Sequence, residues 1–89
     1  MTPGADGGRR LFLIEMEGGA DALLRVLGPF AVQGATVTGL DLRTSPGGVE
    51  LRIEAGGLGE QPALQLGAKL RGLPVVRTVG LGWLAGPII

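Results

Sequence analysis

Apolar and polar positions change period several times along the chain, and each change marks an element. In RLFLIEME (residues 10–17) the period is two. Phe12, Ile14 and Met16 share one face, while Leu11, Leu13, Glu15 and Glu17 share the other, as in a half-buried strand. The period then lengthens. In ADALLRVLGPFAVQG (20–34), Leu23, Val26, Leu27 and Phe30 recur at i, i+3, i+4 and i+7, which predicts a helix stopped by Gly34. Pro29 removes one backbone bond inside that helix and is expected to bend it. ATVTGLDLR (35–43) is a second strand rich in β-branched residues. TSPGG is a hairpin turn in which Gly47 or Gly48 supplies positive φ. VELRIEA (49–55) alternates most regularly, with Val49, Leu51, Ile53 and Ala55 inward and Glu50, Arg52 and Glu54 outward. PALQLGAKLRGL (62–73) is a second helix with Pro62 in its first turn and a buried side of Leu64, Ala68 and Leu70 or Leu73. PVVRTVGLGW (74–83) is a fourth strand.

The order β-α-β-β-α-β predicts an α+β fold. Two right-handed crossovers give a four-stranded antiparallel sheet with both helices on one face, the ferredoxin-like plait. Residues 1–9 are expected to be a flexible leader, 10–82 the domain and 83–89 a C-terminal tail. Since this fold carries many functions, it does not choose among them.

Composition narrows the choice. The chain has 89 residues, room for one thin-cored domain, and 18 glycines that punctuate apolar runs. It contains no Cys or His, which removes disulfides, thiolate or imidazole metal sites and Cys/His nucleophilic dyads. Tyr and Asn are missing too, and Ser45 and Lys69 are single examples of their type. Acid–base chemistry would have to rest on the carboxylates, so no catalytic residue, metal or cofactor is assigned. Eight basic residues balance eight acidic ones, and Phe12, Phe30 and Trp83 are too few to stack bases, so nucleic acid is not an expected partner. No apolar run approaches the roughly 20 residues that cross a bilayer, so no membrane partner and a cytoplasmic location are expected.

Three motif fragments fail on context. AVQG resembles an acylphosphatase anion loop but ends a helix here, GLGWLAG lacks the helix a dinucleotide loop needs, and GEQPALQLGAK lacks P-loop spacing. Glu15, Glu17, Glu50 and Glu54 could cluster, and they read as a solvated sheet face paired by Arg43 and Arg52.

LLRVLGPFAVQGATVTGLDL and KLRGLPVVRTVGL resemble the ACT domain family, in particular the small regulatory subunit of acetolactate synthase. Arg25, Val26, Gly28, Phe30 and Gly34 match the first pattern of those subunits, and Lys69, Leu70, Leu73, Val76 and Val79 the second. The resemblance implies a non-catalytic, allosteric homodimer in amino-acid metabolism. Its partners would be a large catalytic subunit of an amino-acid biosynthetic enzyme or a small amino-acid-like ligand. It further implies pairing through the edge of the second strand, with Thr36, Val37, Thr38 and Leu40 as the candidate dimer edge. No Lys or Pro blunts that edge. The family's effector loop aligns with Gly18, Gly19, Ala20, Asp21, Ala22 and Leu23. Of these only Leu23 matches. Gly18 replaces the Asn or Asp that holds an ammonium group, and Asp21 replaces the glycine that admits a carboxylate. Asp21 is therefore expected to cap the helix itself, leaving the amino-acid site degraded. The alternative is a stand-alone sensor binding a non-standard small ligand at its dimer interface.

Overall fold

The computed structural model describes residues 9–84. The predicted leader up to residue 8 and the tail from residue 85 lie outside the described residues. The elements are β1 (Arg9–Met16), α1 (Ala20–Val32), β2 (Thr36–Ser45), β3 (Gly48–Gly56), α2 (Glu60–Arg71) and β4 (Val76–Leu84). The sheet is antiparallel in the order β2-β3-β1-β4, so the ferredoxin-like plait is the fold. Arg9, expected in the leader, begins β1, and Leu84, expected in the tail, ends β4.

The period-two reading of β1 and β3 matches the burial. Phe12, Ile14 and Met16 are buried on the helix side, opposite Ile53, Leu51 and Val49 of β3. Phe30 descends from α1 onto this layer, its ring edge-on to Phe12 at 5.0 Å between centroids. With Val26, Ala22, Leu66 and Leu70 these residues form one core, and no polar residue is buried among the described residues.

The end of α1 shows why the helix stops. Gly34 N–H donates to the Ala31 carbonyl (3.0 Å) and Ala35 N–H to that of Phe30 (3.0 Å), with Gly34 at φ 73°. This is a Schellman closure, which needs the left-handed residue that glycine supplies. The helix runs through Gly28-Pro29 to Val32. A residue before proline is normally driven from helical geometry by its own Cβ, which Gly28 lacks. In the β2–β3 turn, Gly48 is the positive-φ residue at 145°.

The phase of α2 differs from the sequence expectation. Ala63, Leu66, Gly67 and Leu70 are buried, whereas Leu64 is 50% exposed and Ala68 is exposed too. The buried set is itself an i, i+3, i+4, i+7 stripe, begun one residue earlier than expected. It includes two small residues whose low apolar weight hides it in the sequence. The helix also starts at Glu60, so Pro62 occupies its third position, where the amide has no helical partner to lose.

Candidate functional site

Two places carry the sequence expectations: the elbow between β1 and α1, and the free edge of β2. At the elbow, Glu17 N–H donates to the Val75 carbonyl (2.8 Å), closing β1 against the approach to β4. Gly18 turns at φ 105°, and a Cβ there would stand 2.9 Å from the Ala22 Cβ. Position 18 is thus held to glycine by backbone geometry and by the first turn of α1. Gly19 is the N-cap, and its carbonyl accepts from Ala22 N–H (3.1 Å) and Leu23 N–H (3.2 Å). Ala22 is buried and Leu23 half-buried, anchoring the helix start, while Gly18, Gly19, Ala20 and Asp21 are exposed.

The expected self-capping by Asp21 is not formed. Asp21 lies in the first helical turn, at the second helical position, and no side chain caps this end. A capping oxygen belongs one residue before the helix, and glycine stands there. The Asp21 carboxylate interacts with the helix dipole alone, worth about 0.3–1 kcal/mol.

The acidic face is paired differently from the expectation. Arg77 holds Glu17 through Nη2 (2.9 Å) and Nε (3.0 Å), Arg9 approaches Glu54 (3.9 Å), and Thr78 Oγ1 donates to Glu15 (2.9 Å). Arg43 pairs with Asp41 on its own strand (3.5 Å), not with Glu50 across from it. Two residues along one strand put both side chains on the same face. Arg52 makes no ion pair among the described residues. Together Leu13, Asp41, Arg43, Glu50, Arg52 and Thr78 line an open concavity of about 570 Å³ on the sheet face away from the helices.

The two sheet edges are unlike. On β4, Arg71 reaches from α2 and donates to the Val79 carbonyl (3.3 Å), occupying an edge acceptor. On β2, Thr38 is set out of register by a bulge between Val37 and Gly39, and its hydroxyl donates to the Glu54 carbonyl (3.3 Å). Gly39 fits there because the Glu54 side chain covers it, 3.3 Å from where a Cβ would be. Of the candidate edge residues, Thr36, Val37 and Thr38 lie at or before this bulge, while Leu40 belongs to a regular run from Gly39 to Ser45. A glycine inside a strand, here Gly39, is the sequence signal for such a bulge.

The inner side of β2 is apolar and open. Val37, Leu40 and Leu42 stand opposite Ala55, Ile53 and Leu51, which are fully buried under the helices. Yet the three β2 residues are 41–45% exposed, because neither helix extends over the edge strand. Leu24 and Val32 on α1 are more exposed still. Of the exposed large apolar side chains among the described residues, only Leu13 and Leu64 lie outside α1 and β2.

The class defined by this geometry is the ferredoxin-like α+β plait. Among solved structures, the chain is similar to the ACT domain from GTP pyrophosphokinase of Chlorobium tepidum, with a TM-score of 0.70 and 16% sequence identity over 83% of this chain and 96% of that one. No family model and no curated protein matches the sequence. The resemblance to the acetolactate synthase small subunit rests on the sequence patterns alone. The structure assigns most of them to packing: Val26, Phe30, Leu70 and Val76 are buried and Leu73 and Val79 half-buried. Arg25, Gly28 and Lys69 are exposed.

Proposed function

We propose that this chain is a non-catalytic, ACT-like regulatory or interaction domain that works as a homodimer joined along β2. The observation that carries the reading is the contrast between the edges. An unpaired strand edge recruits another strand unless something obstructs it. Arg71 obstructs β4, whereas β2 offers a regular run over residues 40–45 above an uncovered apolar row. Antiparallel pairing of two β2 strands would continue the sheet to eight strands and bring Leu40 and Leu42 of both copies together in one apolar strip.

The partner in this reading is the large catalytic subunit of an amino-acid biosynthetic enzyme. Support for that step comes from the patterns around Arg25 and Lys69, both exposed and available to a second protein. Sedimentation equilibrium tests the edge: the unmodified chain should have about twice its 9.0 kDa mass at micromolar concentration, and Leu42→Lys should reduce it toward the monomer. Co-purification with a thiamine-dependent large subunit tests the partner.

The second reading, a sensor for a small ligand, is favoured by the uncapped start of α1. Titration with valine, leucine and isoleucine separates the two. Binding no tighter than millimolar is expected, because Gly18 gives an ammonium group no partner and Asp21 repels a carboxylate. Micromolar binding would establish the sensor.

A further inference from the structure

On the sheet face away from the helices, β2 and β3 carry a square of charges. Asp41 stands opposite Arg52 and Arg43 opposite Glu50, so the sign alternates both along each strand and across the pair. Only one side of the square closes internally, the Arg43–Asp41 contact at 3.5 Å. Arg52 and Glu50 form no ion pair among the described residues. Glu50 also faces Glu15 directly across β1, and like charges so placed repel. Beside this square, the β1–β4 half of the face carries Leu13, 46% exposed, next to the bare backbone of Gly80. The face is thus neutral over the square, and beside it β1 carries Leu13 next to Glu15.

We infer that this face packs against the same face of a second copy, so that two edge-joined dimers close into a tetramer. The inference rests on the β2-edge reading above. Its first ground is symmetry. A two-fold axis parallel to the sheet, midway between the two packed faces and crossing the strand direction between the Asp41–Arg52 row and the Arg43–Glu50 row, sets Asp41 over the second copy's Arg43. It likewise sets Arg52 over the second copy's Glu50. A checkerboard of this kind is complementary to itself, and the Arg52 guanidinium would add a cation against the Glu50–Glu15 pair, which the isolated chain offsets at Glu15 with the Thr78 hydroxyl.

The second ground is closure. A β2–β2 dyad stands perpendicular to the sheet, and closed dihedral symmetry requires it to meet the axis between the faces. They meet if β2 pairs with its mate about Leu42, the middle of the regular run left by the bulge. The square then lies nearest the centre of the assembly. There the usual crossing of about 30° between packed sheets displaces side chains least.

The third ground is area. Four strands about 4.8 Å apart and about seven residues long present roughly 500 Å² per chain, or about 1,000 Å² for two. That falls short of the roughly 1,200 Å² at which stable interfaces begin, whereas two eight-stranded sheets reach about 2,000 Å². Face packing therefore suits the edge-joined dimer and not the single chain.

Charge-swapped variants test the proposal by sedimentation equilibrium on the full chain, with circular dichroism to verify folding. The unmodified protein should reach about four times its 9.0 kDa mass at high concentration. It should fall to the dimer in about 1 M salt, where the screening length is about 3 Å. Arg52→Glu alone and Glu50→Arg alone should each stop at the dimer, because each sets like charges face to face. An equimolar mixture of the two variants should recover the tetramer. An unmodified protein that stops at the dimer at every concentration overturns the face packing and leaves the edge reading standing. A monomer overturns the edge reading itself. A tetramer that neither variant weakens overturns the assignment to this face.

Discussion

The phase of α2 can be tested with two leucines two residues apart. Leu66 has no solvent exposure and lies in the core with Leu70 and Ala63, while Leu64 is half exposed. They stand about 200° apart around the helix, so a rotation that buries one exposes the other. Truncating a fully buried leucine to alanine costs about 2–5 kcal/mol. For Leu64→Ala the apolar loss is partial and alanine is the better helix former, so the expected cost is below about 1 kcal/mol. In a domain of this size 1 kcal/mol moves Tm by about 4–8 °C. Leu66→Ala should therefore lower Tm by about 8 °C or more, and Leu64→Ala by only a few degrees. Urea unfolding followed by far-ultraviolet circular dichroism gives the free energies directly, provided the m-values agree. If Leu64→Ala proved the costlier change, α2 would be rotated from its position here and the core described above would be wrong.

Phe30→Ala removes the ring that meets Phe12 edge-on and should cost about 3–5 kcal/mol, enough to bring a domain of about 5–10 kcal/mol close to unfolding. Gly18→Ala and Gly18→Asn should each cost about 1–3 kcal/mol by the same assay, since φ is 105° and a Cβ would crowd Ala22. A family-like Asn at position 18 is therefore expected to weaken the fold before it improves any ligand. Arg71→Ala should change stability by less than about 0.5 kcal/mol but increase aggregation measured by light scattering, because it uncovers the Val79 carbonyl on the β4 edge.

The order of elements and the inward faces of β1 and β3 were legible because alternation in a half-buried strand depends on each residue's own polarity. Phe30 was legible for a similar reason, being the largest apolar residue on the predicted stripe of α1. The phase of α2 was not, because its buried stripe includes Ala63 and Gly67, which contribute closeness to the sheet more than apolar mass. The ion pairs on the open face depend on which strands become neighbours. Arg77 and Glu17 meet from 60 residues apart, and Arg43 finds Asp41 before it can reach Glu50. At the elbow, the sequence showed which family residues were replaced but not the backbone angle at Gly18. That angle makes the glycine a structural requirement as well as a missing ligand. The difference between the two edges was half legible: the unblunted β2 could be read directly, whereas the Arg71 guard on β4 needs the packed helix.

Amide hydrogen exchange, read by mass spectrometry at several protein concentrations, tests β2 pairing most directly. If β2 joins two copies, protection over residues 40–45 should rise with concentration, while residues 36–38 at the bulge and the amides of β4 keep their exchange rates. Exchange over residues 40–45 that stays fast and independent of concentration would contradict the account.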